Sequence, residues 1–289
     1  MPRSKQPEPR LPIKLTLAQR KAVAALVPRL AGRLKLDEPN QRVIDLTVGE
    51  WKAVKAKAQT AIRHASTGTE RRPLRHLLDR ATLALHQPRG SESIPASERV
   101  YQFKITLLDS YPPIWRRIQV KDCTLDELHE HIQTAMGWTN SHLHHFRIGE
   151  QFYGDPLLMQ ENFEDMGYKD STTTKVSAIL PESGRRFRFH YEYDFGDSWE
   201  HEVLFEGVLR AEPRRKYPLC LEGERACPPE DVGGVWGYAG FLEAIQNPDH
   251  EGYEEMLEWV GGAFDPEAFD PAAATREMRR GLPHWRDWR

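Results

Sequence analysis

The strongest structural signal in the sequence is a strict alternation of side chains between residues 186 and 195. Aromatic residues occupy every second position, and charged or imidazole side chains occupy the positions between them. Successive side chains of a β-strand point to opposite faces of a sheet, so this pattern predicts a strand with one buried face. The turn-forming segment FGDSW follows, and a second alternating run leads out of it, which predicts an antiparallel hairpin over 185–209. The aromatic face is expected to hold Phe187, Phe189, Tyr191, Tyr193 and Phe195.

Further strands and helices are expected around this hairpin. The run VYQFKITLL at 100–108 alternates in the same way, and a second strand is expected over 114–120. A capping-box pattern at Thr124 and Glu127 predicts a helix that stops at Gly137. These elements predict an α+β fold with a mainly antiparallel sheet and packed helices. The helices expected to close it run from Tyr238 to Gln246 and from Tyr253 to Val260.

Residues 13–87 show helical sequence patterns and no strand pattern. Capping boxes begin at Thr16 and Thr47, each with Gln or Glu three residues later and an apolar run of helical spacing behind it. A third run of helical spacing follows Pro73. We therefore predict a small all-helical segment ahead of the α+β domain.

Composition suggests where the domains begin and end. Residues 88–98 are rich in Pro, Gly and Ser and have few side chains to bury, which is typical of a linker. The predicted division is a flexible tail at 1–12, a basic helical segment at 13–87, a linker at 88–98, an α+β domain at 99–272 and a C-terminal tail at 273–289.

Charge is divided unevenly between the two parts. Residues 1–98 have 19 Lys and Arg against 9 Asp and Glu, a net charge of +10, whereas residues 99–289 have 21 against 34, a net charge of −13. The stretch 222–270 alone has 13 carboxylates and one basic residue. Such asymmetry indicates either a basic arm for DNA or another anionic partner, or two parts that attract each other. The arginines that we expect to contact phosphate are Arg63, Arg71, Arg72 and Arg75.

Several classes of protein are excluded at this stage. No apolar run approaches the ~20 residues that a membrane-spanning helix needs, and the N-terminus lacks the apolar region of a secretory signal. The three cysteines are an odd and low number, which argues against a disulfide framework. We expect a cytoplasmic protein with no membrane partner.

Four motifs in a fixed order resemble those of a known family. They are HLHHF at 142–146, YDFGDSWEH at 193–201, YPLCLEGERACPPEDVGGVWGY at 217–238 and NPDHEGYEEMLEWVGGAFDPEAFD at 247–270. Over residues 99–270 the chain is similar to the plasmid pRiA4b ORF-3-like family, also labelled transposon passenger proteins of TnpR type. Its N-terminal helices resemble a segment that accompanies this domain in such proteins. The resemblance implies an α+β fold and an association with mobile elements, and it does not imply recombinase chemistry.

Two groups within these motifs could bind a metal ion or a ligand. Carboxylates and an imidazole lie close together in GDSWEH, and histidines alternate in HLHHF, which suits a divalent metal or acid–base chemistry. The alternative is structural: the aspartates bond turn amides, Trp199 covers the core and the histidines pack on a half-buried face. The residues expected to form a pocket are His142, His144, Asp194, Asp197, Trp199 and His201.

The cysteines are weaker metal candidates. Cys220 and Cys227 are six residues apart, wider than the usual spacing of local zinc ligands, although His201 could complete a set. Family members often carry a third cysteine where this chain has Val232, which argues against a three-cysteine site. Buried structural cysteines are the alternative interpretation. No cofactor is predicted, and a divalent metal remains an open alternative.

The sequence supports two functional hypotheses of different classes. The first is an accessory or binding module that is not a recombinase, with basic helices that contact DNA or another protein. The second is a metal-dependent enzyme acting on nucleic acid or phosphoesters, with Asp194, Asp197, His201 and His142 close together. A purely structural pairing of the two oppositely charged parts is a third possibility. We also predict that at least two of the motifs HLHHF, GDSWEH and GERACPPED meet around a shared pocket or groove.

Overall fold

The structure is a computed structural model that describes residues 8, 10–65, 68–86, 94–159, 167–181 and 185–282. The chain forms two compact units, Met1–Glu92 and Ser93–Arg289. No helix among the described residues combines the length and the apolar character needed to cross a membrane. The predicted linker at 88–98 falls mostly outside the described residues, and its last three residues form a short 3₁₀ helix, Ala96–Glu98.

The N-terminal unit is mainly helical. Helix α1 spans Leu17–Leu26, α2 spans Val48–His64 and α3 spans Gly68–His86, with a 3₁₀ helix at Pro28–Arg33. Both predicted capping boxes form: Thr16 and Thr47 each accept the backbone N–H three residues later, and the Gln or Glu there accepts the cap N–H in return.

The same unit also contains a two-stranded sheet, so the prediction of an all-helical segment was wrong in this respect. Strand β1 spans Arg10–Leu15 and pairs antiparallel with β2, Arg42–Thr47. Part of the predicted flexible tail therefore lies in β1, while residues 1–7 and 9 are outside the described residues. Each strand has only two buried apolar positions, too few for a clear period of two, and only one from each strand, Ile13 and Ile44, are direct partners in the sheet. These four are Ile13, Leu15, Ile44 and Leu46.

The second unit is built on an eight-stranded sheet in the order β10-β4-β3-β9-β8-β5-β6-β7. Every neighbouring pair is antiparallel except β6 with β7. The α+β class with a mainly antiparallel sheet is thus confirmed. The strands are β3 Arg99–Leu107, β4 Trp115–Val120, β5 His144–Ile148, β6 Gln151–Gly154, β7 Lys169–Asp170, β8 Phe187–Tyr193, β9 Trp199–Arg210 and β10 Leu219–Glu224.

Helices cover one face of this sheet and close the main core. Helix α4, Leu125–Met136, starts at the predicted capping box of Thr124 and ends at Gly137, whose φ of 114° suits glycine. Its apolar side packs on the inward residues of β3, β8 and β9. Short helices α5 (Pro156–Met159) and α6 (Val176–Ile179) follow, then α7 (Gly234–Gln246), α8 (Tyr253–Trp259) and α9 (Pro271–Arg280).

Helix α9 corrects the predicted C-terminal tail. Asp270 caps it by accepting the Ala272 N–H, and Ala274 and Met278 bury their side chains in the main core. Its apolar residues are small and few, so the sequence alone gives little helical periodicity. Residues 283–289 lie outside the described residues.

The predicted hairpin over 185–209 is confirmed, with one change at its turn. Strands β8 and β9 pair antiparallel from Phe187 opposite Phe205 to Tyr193 opposite Trp199. The strand ends at Tyr193 because Asp194 adopts a left-handed conformation with a φ of 58°. Phe195 is therefore displaced from the aromatic face and is 38% exposed, while Asp194 is buried.

The opposite face of the sheet contains a buried network of charged and amide groups. Arg117 on β4 holds the carboxylate of Glu206 on β9 through two contacts of 2.8 and 3.2 Å, and also contacts Glu222 at 2.7 Å. Gln102 donates to Glu206 at 2.8 Å. Burial by itself raises the pKa of Glu206, but the charge and hydrogen bonds of Arg117 outweigh it and hold that pKa below its ordinary value. The carboxylate therefore stays charged within the sheet.

We expect Glu206→Ala to lower the free energy of unfolding by about 3–5 kcal/mol, because it leaves the guanidinium of Arg117 buried without its main partner. A matched control lies on the same strand, where Glu202 pairs with Arg188 at 3.0 Å in an exposed position. Glu202→Ala should cost less than about 1 kcal/mol. Urea unfolding of both variants measures the difference, and equal costs would contradict the assigned role of the network.

Candidate functional site

Three segments that are far apart in sequence converge at one edge of the second unit. They are the loop after α4, the turn between β8 and β9, and the loop before α7. The Trp138 indole donates to the Pro228 carbonyl at 3.1 Å, and the Thr139 N–H donates to Glu230 at 2.8 Å. Tyr193 donates to the same carboxylate of Glu230 at 3.1 Å. Motifs that the sequence singled out separately therefore share one region of the fold.

The turn between β8 and β9 is held by the side chains of Asp194 and Asp197. Oδ1 of Asp194 accepts the backbone N–H groups of Gly196 and Asp197, at 2.9 and 3.3 Å. Oδ2 of Asp197 accepts the Gly233 N–H at 3.1 Å, which ties this turn to the loop before α7. The structural alternative, hydrogen bonding to turn amides, thus describes Oδ1 of Asp194, whereas Asp197 bonds an amide of a different loop.

Glycine is required where the loop meets the turn. Gly234 has a φ of +67°, and a Cβ there would lie 2.5 Å from the backbone oxygen of Asp197. The loop can approach the turn this closely only without a side chain at that position. The glycine-rich segment VGGVWGY therefore brings Asp231 next to Asp194.

A histidine and two aspartates meet at the centre of this region. Nε2 of His142 lies 3.0 Å from Oδ1 of Asp231 and 3.6 Å from Oδ2 of Asp194. One ligand atom from each residue lies within 4.8 Å of the others. Asp194 is nearly buried, His142 is half-buried and Asp231 is exposed, with side-chain exposures of 10%, 28% and 71%. We call these three residues the His142 cluster.

A cleft opens beside the His142 cluster, between α7 and α8. Its volume is about 400 Å³, within the range of small-ligand pockets. Asp231 belongs both to the cluster and to the lining of this cleft. The apolar lining is formed by Val232, Phe241, Ala244, Met256 and Trp259, and the polar lining by Asp231, His250 and Glu255.

The other candidate pocket residues lie in the core. His144 is 2% exposed on β5 and stacks on His129 of α4 with ring centroids 3.4 Å apart. Trp199 and His201, on β9, are fully buried. His201 meets the Trp138 indole edge-on at 5.3 Å. The structure therefore brings His142, Asp194 and Asp197 together at the loops. The other three predicted pocket residues, His144, Trp199 and His201, have their side chains buried in the core.

Of the two cysteines in the third motif, Cys220 is buried and Cys227 is partly buried. Burial is the main cause that raises the pKa of Cys220 to about 12, and it raises the pKa of Cys227 further. Among the described residues, Cys220, Cys227 and His201 do not form a group within coordination distance of a common ion. Thiols with raised pKa values are poor nucleophiles and poor ligands at neutral pH.

The four arginines predicted to contact phosphate lie near the boundary between α2 and α3, and they differ in the contacts that their side chains make. Arg71 donates to the Ala65 carbonyl through two nitrogens at 3.0 and 2.8 Å, and thereby caps the end of α2. Arg63 is exposed and has a long contact of 3.4 Å with Thr60. Arg75 is half-buried and engaged with neighbouring groups. The side chain of Arg72 is outside the described residues.

Sequence reasoning missed Asp231 and the cleft as site elements. Asp231 lies at the end of the motif GERACPPED, but nothing local distinguishes it from the other carboxylates of the acidic stretch. Its left-handed backbone, with a φ of 58°, is shared by Asp194. Aspartate tolerates this conformation better than most residues, and such positions are enriched at functional sites.

The fold and the site together define an α+β protein whose antiparallel sheet supports a loop-built cluster beside a helical cleft. The family model described as plasmid pRiA4b ORF-3-like protein matches residues 99–273. The chain belongs to this family, as the resemblance of the four motifs predicted.

Two relatives extend the comparison. The uncharacterized protein y4hQ of Sinorhizobium fredii is 41% identical over 177 residues, which cover 61% of this chain and 86% of that protein. The crystal structure of protein MM3350 of unknown function, from Methanosarcina mazei Go1, is 36% identical with a TM-score of 0.54. It covers 61% of this chain and 97% of its own. These similarities establish the family and the fold without assigning an activity.

Buried histidines should make the stability of the second unit depend on pH. Burial lowers the pKa of His129 and of His201 to about 4, against about 6.5 in an unfolded chain. Because the unfolded chain binds more protons below pH ~6.5, the stabilisation is complete above that pH and is lost as the pH falls towards about 4. We expect the urea midpoint at pH 5.5 to lie clearly below that at pH 7.5.

The contribution of one histidine can be separated. His201→Gln removes a titrating group, so the loss of stability between pH 7.5 and 5.5 should be smaller than in the parent protein. His64→Gln, at an exposed position in the N-terminal unit, is the matched control and should leave the dependence unchanged. An unaltered pH dependence in His201→Gln would show that His201 is not one of the groups that titrate on unfolding.

Proposed function

We propose that the second unit is a non-catalytic binding module whose cleft between α7 and α8 takes a basic, partly apolar segment of a partner protein. The observation that carries the proposal is the combination of an apolar cleft with an acidic rim. Aromatic and methionine side chains such as Phe241, Met256 and Trp259 line it, and Asp231 and Glu255 stand among them. Apolar grooves of this kind take side chains of a partner segment, and the rim selects its charge.

The segment that supplies the lining of the cleft carries acidic side chains and no Lys or Arg. Residues 230–259 contain eight carboxylates and no lysine or arginine. The rim helix α8 is itself rich in exposed carboxylates, namely Glu254, Glu255 and Glu258. A field of this sign attracts a basic segment and repels acidic ones, which gives specificity and a faster encounter.

The enzymatic alternative is favoured by one observation, the meeting of His142 with Asp194 and Asp231. Two features count against it. His201, which it would need, is fully buried on β9. The surface around the cluster is acidic, and it repels the phosphates of nucleic acid unless bound cations neutralise it. The binding module is therefore the better account of the geometry.

The basic N-terminal unit supplies the accessory part of the proposal. It has exposed cations such as Arg63, and a net charge of opposite sign to that of the second unit. We propose that it contacts DNA, in keeping with the association with mobile elements that the family resemblance implies. The cytoplasm is the proposed location, and the free state of the three cysteines supports it.

The cleft proposal is tested with a labelled amphipathic Leu/Lys peptide of about 18 residues, long enough to form a helix on binding. Fluorescence anisotropy should show binding that weakens with salt, and a Leu/Glu peptide of the same pattern should not bind. Trp259→Ala should weaken binding about tenfold, since tryptophans are common hot spots. Glu255→Gln should weaken it less and reduce its salt dependence.

Matched controls come from exposed residues far from the cleft in sequence. Tyr111 is an aromatic side chain at 94% exposure, compared with 47% for Trp259, and Glu150 is an exposed carboxylate in the β5–β6 turn. Tyr111→Ala and Glu150→Gln should bind the Leu/Lys peptide as the parent does. If the peptide fails to bind, or if Trp259→Ala binds like Tyr111→Ala, the cleft is not the site.

The DNA contact is tested separately on the full chain. Binding to random duplex DNA should fall steeply between 50 and 200 mM salt, because phosphate contacts release counterions. Arg63→Gln should reduce the salt slope by about 1, and Arg276→Gln, on α9 of the acidic unit, should leave it unchanged. Absence of binding at 50 mM salt, or equal slopes for both variants, would rule out Arg63 as a phosphate contact.

A further inference from the structure

We propose that His142, Asp194 and Asp231 bind one divalent transition-metal cation. Ligand atoms bound tetrahedrally to a common Zn²⁺ at about 2.1 Å lie about 3.4 Å apart. Nε2 of His142 lies 3.0 and 3.6 Å from the two carboxylate oxygens, which brackets that separation. Two of the three separations are thus already those of ligands of one small ion, and one ligand atom from each residue lies within 4.8 Å of the others. The inference goes beyond the proposed peptide binding and does not depend on it.

The Nε2 atom of His142 forms no hydrogen bond with any residue in the described part of the chain. It is closed off from solvent, although the Asp231 oxygen lies 3.0 Å away. The short distance is therefore not aligned as a hydrogen bond. A buried polar atom without a partner has lost its hydration without compensation, and a bound cation would supply the missing interaction.

The surrounding contacts hold the three ligands from outside the cluster. Oδ1 of Asp194 is taken by two backbone amides, while Oδ2 is the oxygen that lies towards His142. The His142 ring packs edge-on against Tyr193 at 5.9 Å. The loop of Asp231 is tied down on both sides, by Glu230 to Thr139 and by Gly233 to Asp197. Such outer contacts fix the orientation of metal ligands.

The donor set selects the type of cation. One imidazole nitrogen with two carboxylate oxygens suits Zn²⁺, Co²⁺ or Mn²⁺, whereas Mg²⁺ and Ca²⁺ prefer oxygen ligands alone. Two carboxylates balance the charge of a divalent ion. Three protein ligands leave at least one coordination position for water or for a group that enters the cleft, because Asp231 also lines it.

The test is titration of the chelator-treated full chain with Zn²⁺, and with Co²⁺ as a spectroscopic probe. We expect one equivalent to bind and the visible absorption of Co²⁺ to report a low-coordinate site with a nitrogen ligand. His142→Ala and Asp231→Asn should each weaken that binding about tenfold or more, since even outer-shell changes cost about 10–100-fold. Mg²⁺ at millimolar concentration should not compete.

Asp231→Asn is the decisive variant because its side chain is 71% exposed and its loss does not disturb the core. Asp249→Asn, another exposed aspartate of the acidic stretch, is the matched control and should bind Zn²⁺ within twofold of the parent. If the parent binds no stoichiometric Zn²⁺, or if Asp231→Asn and Asp249→Asn bind it equally, the site does not exist. Retained binding of the Leu/Lys peptide in that case would leave the binding module in place and overturn the metal site alone.

Discussion

The pairing of β8 with β9 is the constraint on which both the core and the site depend. Its inward residues Phe189, Tyr191 and Tyr193 are buried, and they receive α4 and the neighbouring strands. Its turn cannot continue the strand, because Asp194 adopts a left-handed backbone and bonds the amides beyond it. The same hairpin that closes the core thus presents Asp194 and Asp197 in the turn where β8 ends and β9 begins. The burial of the aromatic face fixes the register, since a slip of one residue would exchange the two faces.

Local sequence patterns predicted the elements whose causes are local. The capping boxes at Thr16, Thr47 and Thr124 form as expected, because a hydroxyl and a carboxylate or amide within one turn satisfy free amides without any tertiary contact. The β8–β9 hairpin was also predictable, since five alternating aromatics leave one choice of buried face.

The features that depend on distant residues could not be predicted in this way. Helix α9 is held by Ala274 and Met278 in a core contributed by other elements, and its own apolar pattern is slight. Phe195 continues the alternation in sequence, but the backbone of Asp194 removes it from the sheet face. Asp231 becomes part of a site only because Gly234 lets its loop approach the β8–β9 turn. Of the six residues expected to form a pocket, His142, Asp194 and Asp197 lie close together. The three on the strands, His144, Trp199 and His201, are buried in the core.

The loop before α7 connects the two proposed sites physically. Through Glu230 and Gly233 it is anchored to the loop after α4 and to the β8–β9 turn, and through Asp231 and Val232 it lines the cleft. A cation bound by the His142 cluster would therefore also change the charge of the cleft lining, because Asp231 belongs to both. A bound cation would neutralise Asp231 and weaken the attraction of the rim for a basic segment, whereas a ligand group that coordinates the cation would strengthen its own binding. Because the two effects have opposite signs, the response of peptide affinity to Zn²⁺ distinguishes a partner that binds only the acidic rim from one that also reaches the His142 cluster.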